Sequence, residues 1–308
     1  NSRTNGMAAR GMRVLAVATS HPQTPDAADY SGLTFVGLIG LYDPPRSDVR
    51  NAISQCQSAG IRVVMLTGDH VVTAKNIATA VGLTDGEATV VEGRNLPPIS
   101  QLSDDQLIEL EKADVFARVS PAQKLELVTA FQRSGQIVAM TGDGVNDAPA
   151  LKQADIGVAM GLRGTQVARE AAAMVLRDDA FSSIVAAIRE GRVIFRNIQK
   201  FVMYLLSCNL SEILVMGAAI MVGLPLPLMP LQILFLNLVT DVFPAFALGA
   251  GEGTKEVLER SPRDPSKPIM TRAIWIAIVL HALLISSATL GAFVIALEYL
   301  VLTSQEAI

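Results

Sequence analysis

Three apolar stretches in the last third of the chain constrain it more than any other feature. Residues 201–224 carry one formal charge, Glu212; residues 231–250 carry one, Asp241; residues 273–297 carry none. As a helix, each is long enough to cross a bilayer core of about 30 Å. The alternative is a large buried core helix, and a soluble fold would have to bury three of them in one short region. Residues 1–200 have the composition of ordinary soluble protein, so the 50% hydrophobic content of the 308-residue chain is unevenly distributed. The chain reads as a soluble part followed by a membrane part.

Loop charge orients these stretches. The link Pro225-Leu226-Pro227-Leu228-Met229-Pro230 is uncharged. Arg189, Arg192, Arg196 and Lys200 precede the first stretch, and Lys255, Arg260, Arg263, Lys267 and Arg272 separate the second from the third. The positive-inside rule puts residues 1–200 and the loop 251–272 on the cytoplasmic side, of a plasma membrane or an organelle membrane alike. A formal net charge of −4 gives no reason to expect nucleic acid as a partner. Cys56 and Cys208 lie far apart with no metal-type spacing, so no disulfide framework is expected, and a reducing compartment fits the soluble part. Asn1-Ser2-Arg3 shows neither an initiator Met nor a signal peptide, and is expected to lie inside something longer.

Along residues 1–200, short apolar runs (14–18, 33–41, 62–66, 115–117, 136–140 and 156–160) alternate with amphipathic helical patterns (47–59, 71–81, 121–133 and 165–172). A polar loop is expected over 20–32. Strands alternating with helices predict a parallel sheet covered on both faces, whose ligand site lies at the carboxyl ends of its strands. A helix is expected to run unbroken from Phe181 into the first apolar stretch.

The strongest motif is Thr141-Gly142-Asp143-Gly144-Val145-Asn146-Asp147-Ala148-Pro149-Ala150-Leu151-Lys152, set between two apolar runs. Two carboxylates in a Gly-rich turn at a strand end suit Mg²⁺, which takes one or two carboxylates plus phosphate and water, and glycines let backbone N–H groups approach a phosphate. An Asx-rich surface turn would look similar. Thr67-Gly68-Asp69 also follows an apolar run; a hydroxyl and free amides before a helix can hold phosphate oxygens, although a helix N-cap would use the same residues. Lys124, in the helix opened by Ser120-Pro121, offers a point charge to a phosphoryl group or is a solvated lysine.

In the membrane part, Asn209 and Glu212 are spaced i, i+3, and Asn237, Thr240 and Asp241 i, i+3 and i+4, so each set shares a helix face. Polar residues inside a span are functional candidates by default. Five oxygen-bearing side chains without sulfur or imidazole make a hard-cation set, and Ca²⁺ takes 6–8 oxygens. Pro244 has no N–H for the Thr240 carbonyl, which is freed as a further ligand. Interhelical hydrogen bonding as packing glue accounts for Asn and Thr but poorly for the two acids. His281 reads as a packing or hydrogen-bonding residue.

Asp43-Pro44-Pro45-Arg46, Thr67-Gly68-Asp69, Ala117-Arg118-Val119-Ser120-Pro121 with Lys124, and Thr141 through Lys152 together resemble the haloacid-dehalogenase-type phosphotransfer core, and more narrowly the P-type ATPases. The resemblance continues into the membrane: Asn209-Leu210-Ser211-Glu212 and Asn237-Leu238-Val239-Thr240-Asp241 look like the cation-binding segments of sarco/endoplasmic-reticulum-type calcium pumps. It implies a haloacid-dehalogenase-like α/β domain with a Rossmann-type parallel sheet, followed by an α-helical transmembrane region. Residues 1–41 would be the tail of a nucleotide-binding domain, 42–180 the phosphorylation domain without its nucleophile segment, and 181–308 a stalk helix with three spans. It further implies that Asp143 binds the catalytic Mg²⁺. Thr67, Gly68, Lys124 and Asn146 would contact the transferred phosphoryl group, with Asp69 in the same catalytic set and Asp147 supporting it. Asp43 to Arg46 would be the hinge, and Asp43, Arg46 and Lys124 would bear on ATP. Asn209, Glu212, Asn237, Thr240 and Asp241 would hold the transported cation.

Within that family, sodium-potassium pumps usually have Asp where Asn237 stands, heavy-metal pumps rely on membrane Cys or His, and secretory-pathway pumps usually lack the Glu212 carboxylate, so the resemblance favours Ca²⁺. The implied cofactors are Mg²⁺ and ATP; the implied partners are the cation, the bilayer and the rest of the pump on either side. The sequence departs from the pattern in lacking the Asp-Lys-Thr-Gly-Thr nucleophile motif, so the chain alone is expected not to hydrolyse ATP. A membrane-tethered phosphatase and an inactive fragment stay open as alternatives.

Overall fold

Each strand of the soluble part but the first two follows a helix that carries apolar residues onto it. A computed structural model of the chain describes residues 4, 6–7, 12–19, 33–41, 44–84 and 86–298, so the polar loop expected at 20–32 and the hinge residue Asp43 fall outside the described residues. The chain divides into two units, residues 1–186 and 187–308.

In the first unit, β1 (Arg13–Thr19) and β2 (Thr34–Leu41) form an antiparallel hairpin with a bulge between Val17 and Ala18. This corrects the expectation of parallel strands throughout. The hairpin leaves Leu15, Phe35, Val36, Ile39 and Leu41 exposed. After it come α1 (Val49–Ser58), β3 (Met65–Leu66), α2 (Val71–Ala80), β4 (Val90–Glu92), α3 (Asp104–Glu111), β5 (Val115–Ala117) and α4 (Pro121–Arg133). Then follow β6 (Ala139–Gly142), α5 (Ala148–Gln153), β7 (Ile156–Met160), α6 (Gln166–Ala171) and β8 (Met174–Leu176). The strands form two parallel sheets, ordered β3-β5-β4 and β6-β7-β8.

The alternation of a strand explains the layering. Val115 and Ala117 of β5 join Ile53, Ala74 and Ala78 in one apolar cluster, while Phe116 joins Leu107, Leu127 and Ala130 in another. Both faces of that sheet are therefore covered, as expected. Val128, on the other side of α4, meets Met140, Leu151 and Ala159 beside the second sheet. Ser120 starts α4 with a capping box: its hydroxyl accepts from Gln123 N (3.3 Å) and its own N–H donates to Gln123 Oε1 (2.9 Å).

Two strand bounds differ from the sequence expectation. Val138 N–H donates to the Asp155 carboxylate (2.8 Å) instead of a ladder partner, so β6 starts at Ala139 and runs on to Gly142. The run at 62–66 contributes only Met65–Leu66, since Arg62 turns its guanidinium to the carbonyls of Glu111 and Ala113. The second half of the Gly-rich motif, Ala148 to Lys152, forms most of α5, and β7 follows it as expected.

α7 runs unbroken over Phe181–Val222. Its start is fixed within the first unit: Arg46 Nη1 donates to the Asp179 carbonyl (2.8 Å) and Ser182 Oγ to Asp48 Oδ2 (2.9 Å). Its end is a Schellman turn on Gly223 (φ +76°), where Leu224 N–H reaches the Ala219 carbonyl at 2.9 Å.

In the second unit, the next span, residues 230–249, is not a plain helix. It consists of α8 (Pro230–Phe235), one π-turn (Leu236–Thr240) and α9 (Val242–Gly249). α10 covers Arg272–Glu298. All three helical stretches are long and apolar enough to cross a membrane. The loop between the second and third is fastened along α7. Arg192 donates to the Val257 and Arg260 carbonyls, Asn197 to Gly249 and Gly251, and Gln199 to Ile269, while Arg263 sits 4.7 Å over the Phe195 ring.

Candidate functional site

The carboxyl ends of β3, β5 and β6 carry the phosphate-type residues. Thr67 continues the β3–β5 ladder: its N–H donates to Phe116 O (2.9 Å), and its carbonyl accepts from Val119 N (3.2 Å). Its hydroxyl donates to Asp69 Oδ2 (3.0 Å) and accepts from Asp69 N (3.1 Å), while Arg118 N donates to Asp69 O (3.1 Å). Arg118 itself adopts φ 52°, an uncommon conformation for a bulky residue that nothing in the sequence announced. The N-cap of α2 is His70, whose Nδ1 accepts from Val72 N (3.4 Å), so Asp69 is left for the turn. A side-chain carbon at Gly68 would meet nothing within 4 Å. The fold itself therefore does not demand glycine there, and the open space suits a ligand oxygen against the backbone.

The Gly-rich turn is built around Asp147, which is buried. Its Oδ1 takes Lys124 Nζ at 2.6 Å, and its Oδ2 accepts from Gly144 N at 3.2 Å. A side-chain carbon on Gly142 would lie 2.5 Å from Asp147 Cβ, so only glycine lets Asp147 sit there. Asp143 and Asn146 are exposed on the same turn, and Thr165 N holds the Asp143 carbonyl at 2.8 Å. The structure thus joins Lys124 to Asp147 and Thr67 to Asp69. Among the described residues no group of three or more His, Cys, Asp or Glu converges. An exposed carboxylate on a glycine turn is the donor set Mg²⁺ accepts, since it retains phosphate and water ligands. Arg46 is engaged by Asp179, as described above.

Carboxylates at the start of α7 are held ionised. The Ser183 hydroxyl (2.6 Å) and Ala180 N (3.1 Å) on Asp178 push its pKa below the ordinary value. Burial works to raise Asp179, but the N–H groups of Leu162 (2.9 Å) and Arg163 (2.8 Å), with Gly161 and the Arg46 charge, outweigh it and hold Asp179 low.

In the membrane part, α7 and the second span meet through two polar contacts. Asn237 Nδ2 donates to Glu212 Oε2 (3.0 Å) and to the Ile233 carbonyl (3.1 Å) of its own helix. Tyr204 donates its hydroxyl to Asp241 Oδ1 (3.3 Å). Asp241 is 8% exposed, and its Oδ2 is buried with no hydrogen-bond partner among the described residues. An orphaned carboxylate oxygen of this kind is costly unless a cation or proton completes it. The π-turn positions Asp241, whose N–H reaches back to Leu236 O (2.9 Å).

Asn209 and Thr240 do not join this cluster. Both are exposed, and Asn209 Nδ2 donates to Leu205 O of its own helix (2.8 Å). His281 Nδ1 lies 2.6 Å from Ala277 O, a bond within its own helix. Sequence reasoning missed Tyr204, although its spacing of two turns from Glu212 was a readable signal. It also missed Ser286, buried on α10, whose hydroxyl donates to the Ser211 carbonyl (3.1 Å) beside Glu212.

Residues 225–307 match the family model described as cation transporting ATPase, C-terminus, and residues 9–155 match haloacid dehalogenase-like hydrolase. A Bacillus subtilis protein named calcium-transporting ATPase is 49% identical over 94% of this chain and 33% of its own length. A Mycobacterium bovis probable cation-transporting ATPase F is 47% identical over 92% of the chain and 32% of its own length. The human potassium-transporting ATPase alpha chain 2 is 42% identical over 90% and 28%. The chain spans about a third of the length of the curated relatives it matches. With its parallel-sheet haloacid dehalogenase-like domain and a following region of three span-length helices, the chain belongs to the P-type cation-transporting ATPases and corresponds to their C-terminal portion.

Proposed function

We propose that this chain is part of an ATP-driven pump that moves a hard cation, most readily Ca²⁺, across a membrane through an aspartyl-phosphate intermediate. The observation that carries the reading is the buried Asp241 carboxylate with its unpartnered oxygen, one turn from Asn237, which is hydrogen-bonded to Glu212. The relatives include proteins named as calcium-transporting and as potassium-transporting ATPases, so the support for Ca²⁺ is the oxygen-only, two-carboxylate cluster and not overall similarity.

Phosphoryl transfer is mostly positioning and electrostatic stabilisation. In this reading Lys124 supplies positive charge to the phosphoryl oxygens, and Asp147 holds that ammonium in place. The Thr67 hydroxyl and the backbone at Gly68 line the remaining oxygens, and Asn146 reaches them from the Gly-rich turn. Mg²⁺, when bound, neutralises phosphate charge at Asp143. The nucleophilic aspartate comes from a part of the pump outside this sequence, and so does most of the nucleotide domain, which would cover the apolar β1–β2 hairpin. The unbroken α7 is the element both sites bias: its start is anchored beside the hinge, and Glu212 lies along it.

The test is ATPase activity of the complete gene product in membranes, titrated separately with Ca²⁺, Mn²⁺, and Na⁺ plus K⁺. Activation by micromolar Ca²⁺ that Asp241→Asn abolishes is the expected result. Activation by another cation alone would overturn the calcium assignment, and no activation by any would overturn the pump.

A further inference from the structure

The geometry points to a binding site for an anionic phospholipid in the cleft between α7 and the start of α10, with the phosphate on Arg196 and Lys200 and the acyl chains on Met203 and Ile274. The inference rests on the reading of both helices as membrane spans, and not on which cation moves or on the phosphoryl site. Arg196, Gln199, Lys200 and Met203 of α7 and Ile274 of α10 line an open cleft of about 130 Å³. Arg196 and Lys200 are spaced i, i+4, and so are Gln199 and Met203, so one helix face turns from cationic and polar to apolar along its length. Arg196 and Met203 lie about 10 Å apart along the axis, whereas the polar zone on each side of a bilayer core is about 5–8 Å deep. The cleft therefore reaches from the headgroup level into the hydrocarbon. Met203 and Ile274 sit just inside the points where the two apolar stretches begin, at residues 201 and 273, and Trp275 is exposed beside them, as an aromatic at the membrane surface is.

A basic flank alone would satisfy the positive-inside rule, and Arg192 shows how such a residue can be engaged within the protein, by the Val257 and Arg260 carbonyls. Arg196 and Lys200 differ. Neither has an ion pair among the described residues, although Glu252 shares a smaller adjoining recess with both. The cleft is also held in shape from outside its apolar floor, because Gln199 donates to the Ile269 carbonyl (2.8 Å). Two such cations above an apolar groove between spans are complementary to a negative headgroup with hydrocarbon beneath it. A free phosphate would use the two cations but leave Met203 and Ile274 without a partner, so the lipid is the occupant that fits the whole cleft.

The experiment needs no turnover. Native mass spectrometry of the complete gene product in detergent follows titration with phosphatidylglycerol, with phosphatidylcholine, and with phosphatidylglycerol in millimolar inorganic phosphate. One phosphatidylglycerol is expected to be held in preference to phosphatidylcholine, and inorganic phosphate to leave it in place. An Arg196→Gln, Lys200→Gln double variant is expected to weaken it about thirtyfold, the scale of about 1 kcal/mol for each cation at an anionic surface. An Arg189→Gln, Lys267→Gln double variant loses the same charge outside the cleft and is expected to bind as the wild type does. Met203→Trp keeps both cations, fills the apolar floor, and is expected to weaken binding too. Equal binding by the Arg196, Lys200 variant, or an equal loss in the Arg189, Lys267 variant, overturns the cleft. Displacement by inorganic phosphate, or unchanged binding in Met203→Trp, overturns the lipid as its occupant. Each of these results leaves the pump reading standing, since cation-activated ATPase activity tests that separately.

Discussion

Lys124 and Asp147 form a close pair at 2.6 Å whose side chains are 17% and 10% exposed. Removing one partner leaves the other charge in a partly dry setting. Lys124→Met is therefore expected to destabilise the domain by about 2 kcal/mol, less than a fully buried pair would lose. It should also cut phosphoenzyme formation in the complete pump about a hundredfold, the scale of a lost transition-state charge contact. Thermal unfolding and acid-quenched phosphorylation check the two effects separately. Asp178 and Asp179 make a pH-dependent contribution. Both carboxyls have depressed pKa values, so their stabilisation is present above the ordinary carboxylate value of about 3.9 and is lost as pH falls through the lower folded values. The start of α7 is expected to loosen on acidification below about pH 4. Hydrogen exchange at Ala180 and Leu162, steeper with acid in the wild type than in an Asp178→Asn, Asp179→Asn double variant, checks it. These residues were individually visible in the sequence, and Lys124 was named from it. Its pairing with Asp147 was not legible, since the two are brought together only when α4 and the Gly-rich turn meet across the sheet ends.

The second span carries the most consequential element. Pro244 has no N–H for Thr240, and the helix responds with a π-turn over Leu236–Thr240. Pro244→Ala restores a donor and is expected to regularise the turn, moving Asp241 and weakening cation activation up to about tenfold, the worth of one net hydrogen bond. The half-activating concentration measures it; an unchanged value would show that the turn does not need the proline. At the far end of α9, Asn197 is buried and donates to Gly249 O (3.2 Å) and Gly251 O (2.6 Å). Asn197→Ala strips two terminal carbonyls of their donor at a cost of about 1–3 kcal/mol and should be seen as faster proteolysis in the loop 251–272. The sequence revealed β5, α4 and β7 with their bounds because apolar runs or a Ser-Pro start marked them. It missed β4 and β8, three-residue strands at the edges of their sheets, whereas β5 is central. α3 was missed despite Ser103 and Gln106 forming a capping box, a signal diluted by a polar helix. The π-turn was half legible: the proline foretold a lost bond, but not how the backbone would absorb it.

For the whole molecule, the charge asymmetry of the loops makes a claim about sidedness. A cysteine at Ser266 is expected to be labelled by an impermeant reagent from the cytoplasmic side only, and one at Met229 from the opposite side only. The reverse pattern would overturn the orientation. The uncharged link 225–230 also bears on how the protein is made. Gly223 ends α7 and Pro230 opens α8, so six residues join two spans that each carry a lone acid. An Asp near the middle of a span costs about 2.5–3.5 kcal/mol during insertion. Glu212 finds Asn237 and Asp241 finds Tyr204 only across that link. The ribosome would therefore deliver the two spans to the insertion machinery as one helical hairpin, and nascent chains halted within 225–230 would present the first span before its polar complement had been synthesised.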